Sequence, residues 1–265
     1  MKVVTYNPPT MAGVYDALAA DYDSQVERET WMRDVLWESY ARLFRPGQVV
    51  LDVGCGTGTD AVFLAERGVR VLGIDASAAM IARARSRVES GRVSDLVDLR
   101  VMDVSEVSRL KQIYLDGMIS AFSVLSAVPD LEAFATAVAP LLPSRAPVVL
   151  HLLNRSCIWE WLGLVRRGRW SDASQIWRST ERDFLIGGCT VRHHLYTASE
   201  AYAQFFRPHF RLLASYGLGF LRPPHTLRWI PAMASRAASR LERPLRSRRP
   251  FAEWGRFWVL ELERV

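Results

Sequence analysis

The chain has 265 residues, with 34 lysines and arginines against 28 aspartates and glutamates, and 49% of its residues are apolar. This length fits one sizeable domain, and these fractions exclude a disordered, collagen-like or coiled-coil architecture. The longest uncharged runs, among them residues 117–129, are shorter than the roughly 20 residues of a membrane-spanning helix, and we expect no secretory signal. Three distant cysteines without a Cys-x-x-Cys pair predict neither disulfides nor a metal site, and they favour the cytoplasm.

Arginine carries almost all of the positive charge, because lysine occurs only at positions 2 and 111. Six arginines cluster near the C-terminus, at Arg236, Arg240, Arg243, Arg246, Arg248 and Arg249. Such a cluster is compatible with nucleic acid or with an anionic membrane surface. Glu242, Pro244 and Pro250 interrupt it, which favours a solvated helix followed by a loop. We therefore expect no nucleic-acid partner, and peripheral membrane contact through residues 236–249 stays an alternative.

Residues 10–43 are rich in aromatic side chains and predict one or two helices. Short apolar runs then alternate with amphipathic stretches up to about residue 154. The predicted strands are residues 49–53, 69–74, 96–101, 115–122 and 147–153, and the predicted helices are residues 59–67, 77–88 and 130–142. Ser77 is a natural N-cap, and Pro143 ends the last of these helices. This alternation is typical of βαβ units, so we expect a parallel sheet covered by helices on both faces.

Residues 155–198 are longer than an ordinary connection and contain four tryptophans: Trp159, Trp161, Trp170 and Trp177. These rings either shield a bound ligand or bury a small core of their own, and the sequence leaves both open. Residues 197–200 form a capping box that predicts a helix up to Phe206. Residues 210–216 and 257–262 predict the last two strands.

A glycine-rich turn joins the first predicted strand to its helix, with glycines at positions 54, 56 and 58. Such a turn lets a ligand approach backbone N–H groups at a helix N-terminus. The window Gly56-x-Gly58-x-x-Ala61 also satisfies a dinucleotide fingerprint, so the turn alone leaves a nicotinamide cofactor open.

Three carboxylates at neighbouring strand ends sharpen the choice of cofactor. Asp75 follows Gly54 by 21 residues, where an acidic side chain can accept both hydroxyls of an adenosine ribose. Asp103 ends the third strand, close to the expected position of an adenine. Asp52 lies directly under the turn, where a carboxylate would repel a pyrophosphate and would suit ammonium and sulfonium groups. This pattern favours S-adenosylmethionine over NAD.

These motifs together resemble the class I S-adenosylmethionine-dependent methyltransferases: Val-Leu-Asp-Val-Gly-Cys-Gly-Thr-Gly at residues 50–58, Gly-Ile-Asp at 73–75 and Met-Asp-Val at 102–104. The nearest resemblance is to small-molecule enzymes typified by the quinone-biosynthesis C-methyltransferases, and it covers about residues 10–154. It implies a doubly wound, Rossmann-like sheet of seven strands in the order 3-2-1-4-5-7-6, mostly parallel, with the last strand antiparallel.

The resemblance also implies a set of cofactor contacts. The glycines would line the methionine moiety, Asp75 would hold the ribose, Asp103 and Val104 would frame the adenine, and a tyrosine hydroxyl would approach the methionine carboxylate. Met80 is either an adenine contact or a core residue. The full set is Tyr15, Tyr22, Asp52, Gly54, Cys55, Gly56, Thr57, Gly58, Asp75, Ala76, Met80, Met102, Asp103, Val104, Phe122 and Ser123.

Methyl transfer requires alignment of the two reactants, and it requires a base only when the acceptor atom holds a proton. The histidines are the candidate bases, above all His194, His193 and His151; His209 and His225 are further candidates. His151 lies inside the fifth predicted strand, where a core imidazole is the favoured interpretation. His193 and His194 point to opposite faces of an extended segment, so at most one faces a pocket. Asn154, at the end of the fifth strand, and Trp159 are candidate substrate contacts.

We therefore expect a single domain over residues 1–265. It comprises an N-terminal helical cover (10–45), a cofactor-binding core (46–154), an inserted aromatic-rich substrate cap (155–198), and a C-terminal helix with the last strands (199–265). The expected function is O-, N- or C-methylation of a small, apolar or aromatic molecule. The alternatives are an NAD-dependent oxidoreductase and a nucleic-acid methyltransferase or binding module. The chain lacks the Asn/Asp-Pro-Pro-Tyr/Phe motif of enzymes that methylate exocyclic amines, which argues against the last.

Overall fold

The computed structural model describes residues 10–224 and 238–265. Nine strands occur in these ranges and form two sheets. They are β1 (Val49–Val53), β2 (Arg70–Asp75), β3 (Val97–Val101), β4 (Gly117–Ser120), β5 (Pro147–Leu153), β6 (Glu181–Ile186), β7 (Cys189–His194), β8 (Phe210–Leu218) and β9 (Phe257–Arg264).

The main sheet has seven strands in the order β3-β2-β1-β4-β5-β9-β8. Strands β1 to β5 pair in parallel, whereas β9 runs antiparallel to both β5 and β8. This topology confirms the predicted order and the predicted antiparallel last strand. Strands β6 and β7 form a separate antiparallel hairpin.

The α-helices whose two ends both lie within the described residues are α1 (Met11–Leu18), α2 (Tyr22–Val26), α3 (Trp31–Leu43), α4 (Thr59–Ala65), α5 (Ala78–Ser90), α6 (Leu131–Val138), α7 (Ile158–Arg166), α8 (Trp170–Gln175), α9 (Ala198–Ala201) and α10 (Phe251–Trp254). The Ser77 side chain caps α5 as expected, accepting from the Met80 N–H at 3.1 Å.

Most element boundaries differ from the prediction by one or two residues, and three differences have a clear local cause or consequence. Helix α6 stops at Val138 and gives way to a 3-10 turn, because Pro140 supplies no backbone N–H. The helix that begins after Thr197 becomes a π-helical turn from Tyr202. Strand β4 ends at Ser120, before the chain turns at Phe122 and Ser123.

Both faces of the sheet are buried, because successive strand residues point to opposite sides. Leu51 and its neighbours pack under α6 in one core cluster, whereas Val50 packs under α3 and α4 in another. Since helices cover both faces, a ligand can reach the sheet only at the ends of its strands, where the connecting turns lie.

Three carboxylates hold the N-terminal cover (residues 10–45) against the core. Asp60 accepts from Arg33 Nη1 at 2.5 Å and from Trp37 Nε1 at 2.8 Å. Asp23 accepts from Thr57 and Arg87, and Asp16 accepts from the Ala79 N–H at 3.0 Å, at the start of α5. These contacts fix α1 and α2 across the carboxyl ends of the first strands.

Residues 155–198, the cap, consist of α7, α8 and the β6–β7 hairpin. Arg182 joins these parts, because it pairs with Glu160 and donates to the carbonyl oxygens of Arg155 and Ile176 at 2.8 and 2.6 Å. The hairpin also packs on α1: Val191 forms a buried cluster with Val14 and Leu18. The cap and the N-terminal cover are thus in direct contact.

The C-terminal arginine cluster makes contacts within the chain where it is described. Arg243 Nη2 lies 2.9 Å from Glu38 Oε1 on α3, and Arg246 lies 3.6 Å from the other oxygen of the same carboxylate. Arg249 donates to Ser199 at 3.3 Å. Arg236 and the candidate base His225 lie outside the described residues. Among the described helices, none combines the length and the apolar character needed to cross a bilayer.

Two glycines differ in the space around them, and this difference predicts opposite effects of alanine. A Cβ at Gly117 on β4 would lie 2.6 Å from a Phe44 ring carbon and 2.7 Å from the Pro147 carbonyl oxygen, whereas a Cβ at Gly163 in α7 would meet nothing within 4 Å. We expect Gly117→Ala to lower the unfolding free energy by about 2 kcal/mol, a typical overpacking cost. Gly163→Ala should raise it by up to about 1 kcal/mol, the helix propensity difference. Urea unfolding measures both, and equal effects would contradict the packing at Gly117.

Candidate active site

Two cavities lie side by side at the ligand-binding edge of the sheet. The first has a volume of about 620 Å³ and lies over the carboxyl ends of the first four strands. The second, of about 990 Å³, lies between the N-terminal cover and the cap. Four residues line both cavities: Tyr15, Tyr22, Phe122 and Ser123. A ligand in one cavity is thus separated from a ligand in the other only by these side chains.

The first cavity collects most of the predicted cofactor residues. These are Tyr15, Tyr22, Gly54, Gly56, Asp75, Ala76, Met80, Asp103, Val104, Phe122 and Ser123. Sequence reasoning missed the part of the wall formed by α1 and α6, which includes Met11, Ala12, Val128, Asp130, Ala133, Phe134 and Ala137. The α6 residues carried only the period of an amphipathic helix, which does not distinguish a core face from a cavity wall.

Two glycines of the glycine-rich turn have different surroundings: Gly54 lies close to Val124, and Gly56 faces open space. A Cβ on Gly54 would lie 2.3 Å from Val124 Cγ2, so any side chain there would push away the chain that follows β4. Gly56 has φ +53°, and a Cβ there would meet no protein atom within 4 Å. Its position in the first cavity leaves that space for a ligand.

Asp75 is oriented by the backbone. Its Oδ2 accepts from the Gly56 N–H and its Oδ1 from the Ser77 N–H, both at 2.9 Å. Burial raises the pKa of this carboxyl, while the two N–H groups act in the opposite direction. Asp103 is oriented in a similar way, because one of its oxygens caps the following turn at the Ser105 N–H, 2.9 Å away. Each carboxyl keeps hydrogen-bonding capacity for a ligand.

The expectation of a charged Asp52 facing the cofactor is wrong. Asp52 is 2% exposed, does not line the first cavity, and has one oxygen, Oδ2, without a hydrogen-bond partner among the described residues. Burial, and then the charge of Asp60, raises the pKa of Asp52 well above its usual range. Burial thus disfavours the charged form of this carboxyl, because the strand end lies inside the protein and not on the cavity surface.

Four further predicted cofactor residues lie behind the turn and not on the cavity wall. Thr57 donates to Asp23 at 2.7 Å, and Gly58 packs against Ala84. Cys55 joins a buried cluster with α5, and Met102 packs against the main core. Their positions are set by packing, so we no longer assign them direct cofactor contact.

The turn donates most of its N–H groups within the protein. Gly54 N–H and Cys55 N–H both donate to the Ile74 carbonyl, at 2.8 and 3.0 Å, and Gly58 N–H donates to the Cys55 carbonyl at 2.9 Å. Gly56 N–H is taken by Asp75. A turn that cradles a diphosphate needs such groups free and aimed at the ligand. This turn is therefore suited to a ligand that contacts it without phosphate.

His151 holds the wall between the two cavities. Its Nδ1 accepts from the Phe122 N–H at 3.1 Å, and its backbone oxygen accepts from the Ser123 N–H at 3.0 Å. These two residues have φ +52° and +67°, a conformation that costs a non-glycine residue of order 1–3 kcal/mol. Complete burial lowers the pKa of His151 to about 3, so the ring is neutral and lines neither cavity. His151 is therefore a core residue, as the sequence favoured, and it positions the backbone of Phe122 and Ser123.

The His193–His194 pair splits as the extended geometry predicts. His193 faces inward, is 4% exposed and lines the second cavity. His194 faces the other side of the hairpin, 3.7 Å from Glu181, and lines neither cavity. His209 lies 3.4 Å from Thr136, away from both cavities. The geometry thus removes His194 from the candidate bases.

The two candidate substrate contacts also differ. Trp159 lines the second cavity, but Asn154 does not. The Asn154 amide donates to the carbonyl oxygens of Glu253 and Gly255, both at 2.7 Å, and so fixes the turn before β9. Of the other cap tryptophans, Trp161 and Trp177 pack together at 6.0 Å and Trp170 is 64% exposed. One tryptophan therefore faces the cavity, and two build the core of the cap itself.

The second cavity is mainly apolar, and three of the four charged side chains that line it, Glu29, Glu160 and Arg256, are held in ion pairs. Arg256 Nη1 lies 2.5 Å from Glu29 Oε1, and Glu160 pairs with Arg182. The apolar side chains of this cavity come from the N-terminal cover, the main sheet and the cap. They are Leu18, Met32, Leu153, Leu164, Ile176, Phe184, Ile186 and Phe257. Such a cavity suits an apolar ligand with few polar groups.

Comparison with known proteins agrees with this geometry. Residues 50–144 match the family described as methyltransferase domain. A demethylmenaquinone methyltransferase from Symbiobacterium thermophilum is 33% identical over 113 residues, which cover 36% of this chain and 43% of the relative. The central part of this chain is thus similar to known methyltransferase domains. A ubiquinone biosynthesis O-methyltransferase from Xanthomonas campestris pv. campestris (strain B100) is 34% identical over 116 residues, 44% of this chain and 47% of the relative.

The chain spans about half the length of the curated relatives it matches. A solved structure of geranyl diphosphate C-methyltransferase from Streptomyces coelicolor A3(2) covers 98% of this chain and 91% of its own, with TM-score 0.54 and 17% identity. This likeness shows the fold alone. These matches confirm the predicted resemblance to S-adenosylmethionine-dependent methyltransferases, and the sheet order confirms the predicted seven-stranded Rossmann-like fold.

The buried, neutral His151 predicts a distinct acid sensitivity of this protein. The native protein protonates His151 only near pH 3, whereas an unfolded chain does so near 6.5. The unfolding free energy should therefore fall by up to about 1.4 kcal/mol per pH unit between about pH 6 and pH 4 through this group. His151→Asn keeps an acceptor for the Phe122 N–H but does not titrate, so its slope should be shallower. Urea unfolding across this range measures both proteins, and identical slopes would contradict the assignment.

Proposed function

We propose that this chain transfers the methyl group of S-adenosylmethionine, bound in the first cavity, to a small apolar molecule bound in the second. The observation that carries the proposal is the junction of the two cavities at Tyr15, Tyr22, Phe122 and Ser123. Methyl transfer is an in-line displacement that needs donor and acceptor to meet at one point, and these cavities meet at one wall. The names of the matched methyltransferases support the same reaction class.

The residues of the first cavity fit the proposed cofactor. Asp75, oriented by two N–H groups, would accept the ribose hydroxyls, and Gly54 and Gly56 would leave room for the methionine moiety. Asp103 and Val104 would frame the adenine. The cofactor supplies an electrophilic methyl group on a positively charged sulfur.

Tyr15 and Tyr22 would close the site from the N-terminal cover. Burial raises the pKa of both hydroxyls, and the charge of Asp75 adds to the effect on each. They stay protonated and can donate hydrogen bonds, for example to a methionine carboxylate. Their rings, 6.2 Å apart, also exclude water from the junction.

We further propose that residues 1–265 act as one domain, in which the cap (155–198) forms the acceptor side of the site. The three free thiols, Cys55, Cys157 and Cys189, support a reducing compartment such as the cytoplasm. The O-, N- or C-character of the acceptor atom does not follow from the cofactor cavity.

Calorimetry with S-adenosylhomocysteine and with NADH tests the cofactor assignment. We expect S-adenosylhomocysteine to bind and NADH not to bind, because the N–H groups of Gly54, Cys55, Gly56 and Gly58 are taken up within the protein. Asp75→Ala should weaken S-adenosylhomocysteine at least tenfold, since it removes a buried, oriented acceptor; a charge-assisted hydrogen bond contributes roughly 1.5–3 kcal/mol.

Asp98→Ala is the matched control, because Asp98 is exposed on β3 and pairs with Arg100 at 2.6 Å, outside the cavity. It should leave the affinity unchanged. Binding of NADH together with indifference to S-adenosylhomocysteine would reverse the assignment. Mass spectrometry of acceptor libraries, searching for a methyl gain, then addresses the substrate.

A further inference from the structure

We propose that His193 is the general base of the reaction and that the acceptor atom is a hydroxyl oxygen. This inference rests on the proposed function, because it concerns the acceptor side of the same site. It begins from the inward face of the cap hairpin, where His193 lines the second cavity.

The hairpin brings His193 close to the junction of the cavities. Strand β7 packs against the turn Val124–Ala127, which directly follows the shared wall residues Phe122 and Ser123. Val191, two residues before His193 on the same face, packs on α1 with Val14 and Leu18. The strand is thus held between the cofactor cover and the wall through which the methyl group would pass.

The imidazole of His193 is oriented for proton acceptance. Its Nδ1 lies 3.3 Å from the Val191 carbonyl oxygen, a contact that requires the proton on Nδ1. Nε2 then carries the lone pair and lies on the opposite side of the ring. The edge of the Phe184 ring supports the imidazole at a centroid distance of 5.0 Å and an angle of 80°. Burial lowers the pKa of His193, which keeps the base in its neutral form.

The other ionisable groups that line the second cavity are not available as bases. Glu29 and Glu160 are paired with Arg256 and Arg182. Burial raises the pKa of Cys157 to about 11, and it raises the pKa of the two tyrosines as well. Among the described residues of this wall, His193 is therefore the side chain that can take a proton near neutral pH.

A base at this place has a consequence for the acceptor. An uncharged amine or a carboxylate attacks a methyl group without prior loss of a proton, whereas a phenol or an enol is a poor nucleophile until its proton leaves. In the proposed step the hydroxyl proton moves to His193 Nε2 and the oxygen forms the bond to the methyl carbon. The carbon–sulfur bond breaks with its electron pair on sulfur, which becomes neutral. His193 then releases its proton to solvent.

Two probes of nearly equal shape separate the hydroxyl from the ring that carries it. In the presence of saturating S-adenosylhomocysteine, 2-naphthol can donate a hydrogen bond to Nε2, and 2-methoxynaphthalene cannot. We expect 2-naphthol to bind at least tenfold more tightly in calorimetry, because the ether leaves a buried acceptor unpaired. In His193→Leu this preference should fall below threefold.

His194→Leu is the matched control, since the neighbouring histidine faces away from the cavity, and it should keep the tenfold preference. Absence of the preference in the unmodified protein, failure of both probes to bind, or a preference that survives His193→Leu would overturn the proposal. The affinity for S-adenosylhomocysteine, measured in the same samples, separates the outcomes. If it is normal, the cofactor assignment stands whatever the naphthol result.

Turnover gives a second readout. With 2-naphthol as acceptor, His193→Gln should lower kcat about a hundredfold at neutral pH, the usual scale of general-base catalysis, without raising the KM for S-adenosylmethionine. The lost rate should return as the pH rises and the naphtholate forms in solution. A kcat in His193→Gln equal to that in His194→Gln would contradict the role of His193.

Discussion

The turn at Phe122 and Ser123 is the constraint on which the site depends. Two consecutive non-glycine residues adopt positive φ there, which side chains with a Cβ normally avoid. The conformation persists because His151 binds both N–H groups, one with its ring and one with its backbone oxygen. Beyond the turn, Val124 packs so closely on Gly54 that only glycine fits. The same turn therefore shapes the glycine-rich turn on one side and the second cavity on the other.

The N-terminal cover connects the two halves of the site. Helix α1 forms part of the first cavity through Tyr15, and its Asp16 binds the start of α5. Its opposite side, at Leu18, packs against the hairpin, where a Cβ on Gly187 would lie 2.8 Å from a Leu18 methyl carbon. Any movement of α1 must therefore displace both the roof of the first cavity and the strand that carries His193. A ligand that fixes α1 would also fix the acceptor wall.

The sequence predicted those features that depend on local periodicity or on a recognised motif. Apolar runs located the strands, and Ser77 marked the start of α5; the sheet order came from the resemblance. The sequence also predicted that His193 and His194 face opposite sides, because alternation along an extended chain needs no tertiary information. What it missed depends on distant partners. Asn154 binds carbonyls of residues 253 and 255, about a hundred positions away, and the burial of Asp52 follows from helices packed on both faces of the sheet.

Because Asp52 is buried, the preference for S-adenosylmethionine over a dinucleotide rests on hydrogen bonds of the turn and not on the charge of this carboxyl. Asp52 is buried and does not face the first cavity, so a carboxylate beneath the turn is no longer the basis for discrimination against a dinucleotide. The hydrogen bonds of the turn can discriminate against a dinucleotide. Gly54, Cys55 and Gly58 donate to carbonyl oxygens, and Gly56 donates to Asp75, which leaves no N–H group of these four for a diphosphate. Because these four groups cannot compensate a diphosphate for its lost hydration, they disfavour a dinucleotide at this turn. Asp75 contributes twice, since it takes up the Gly56 N–H and presents its remaining lone pairs to a ribose.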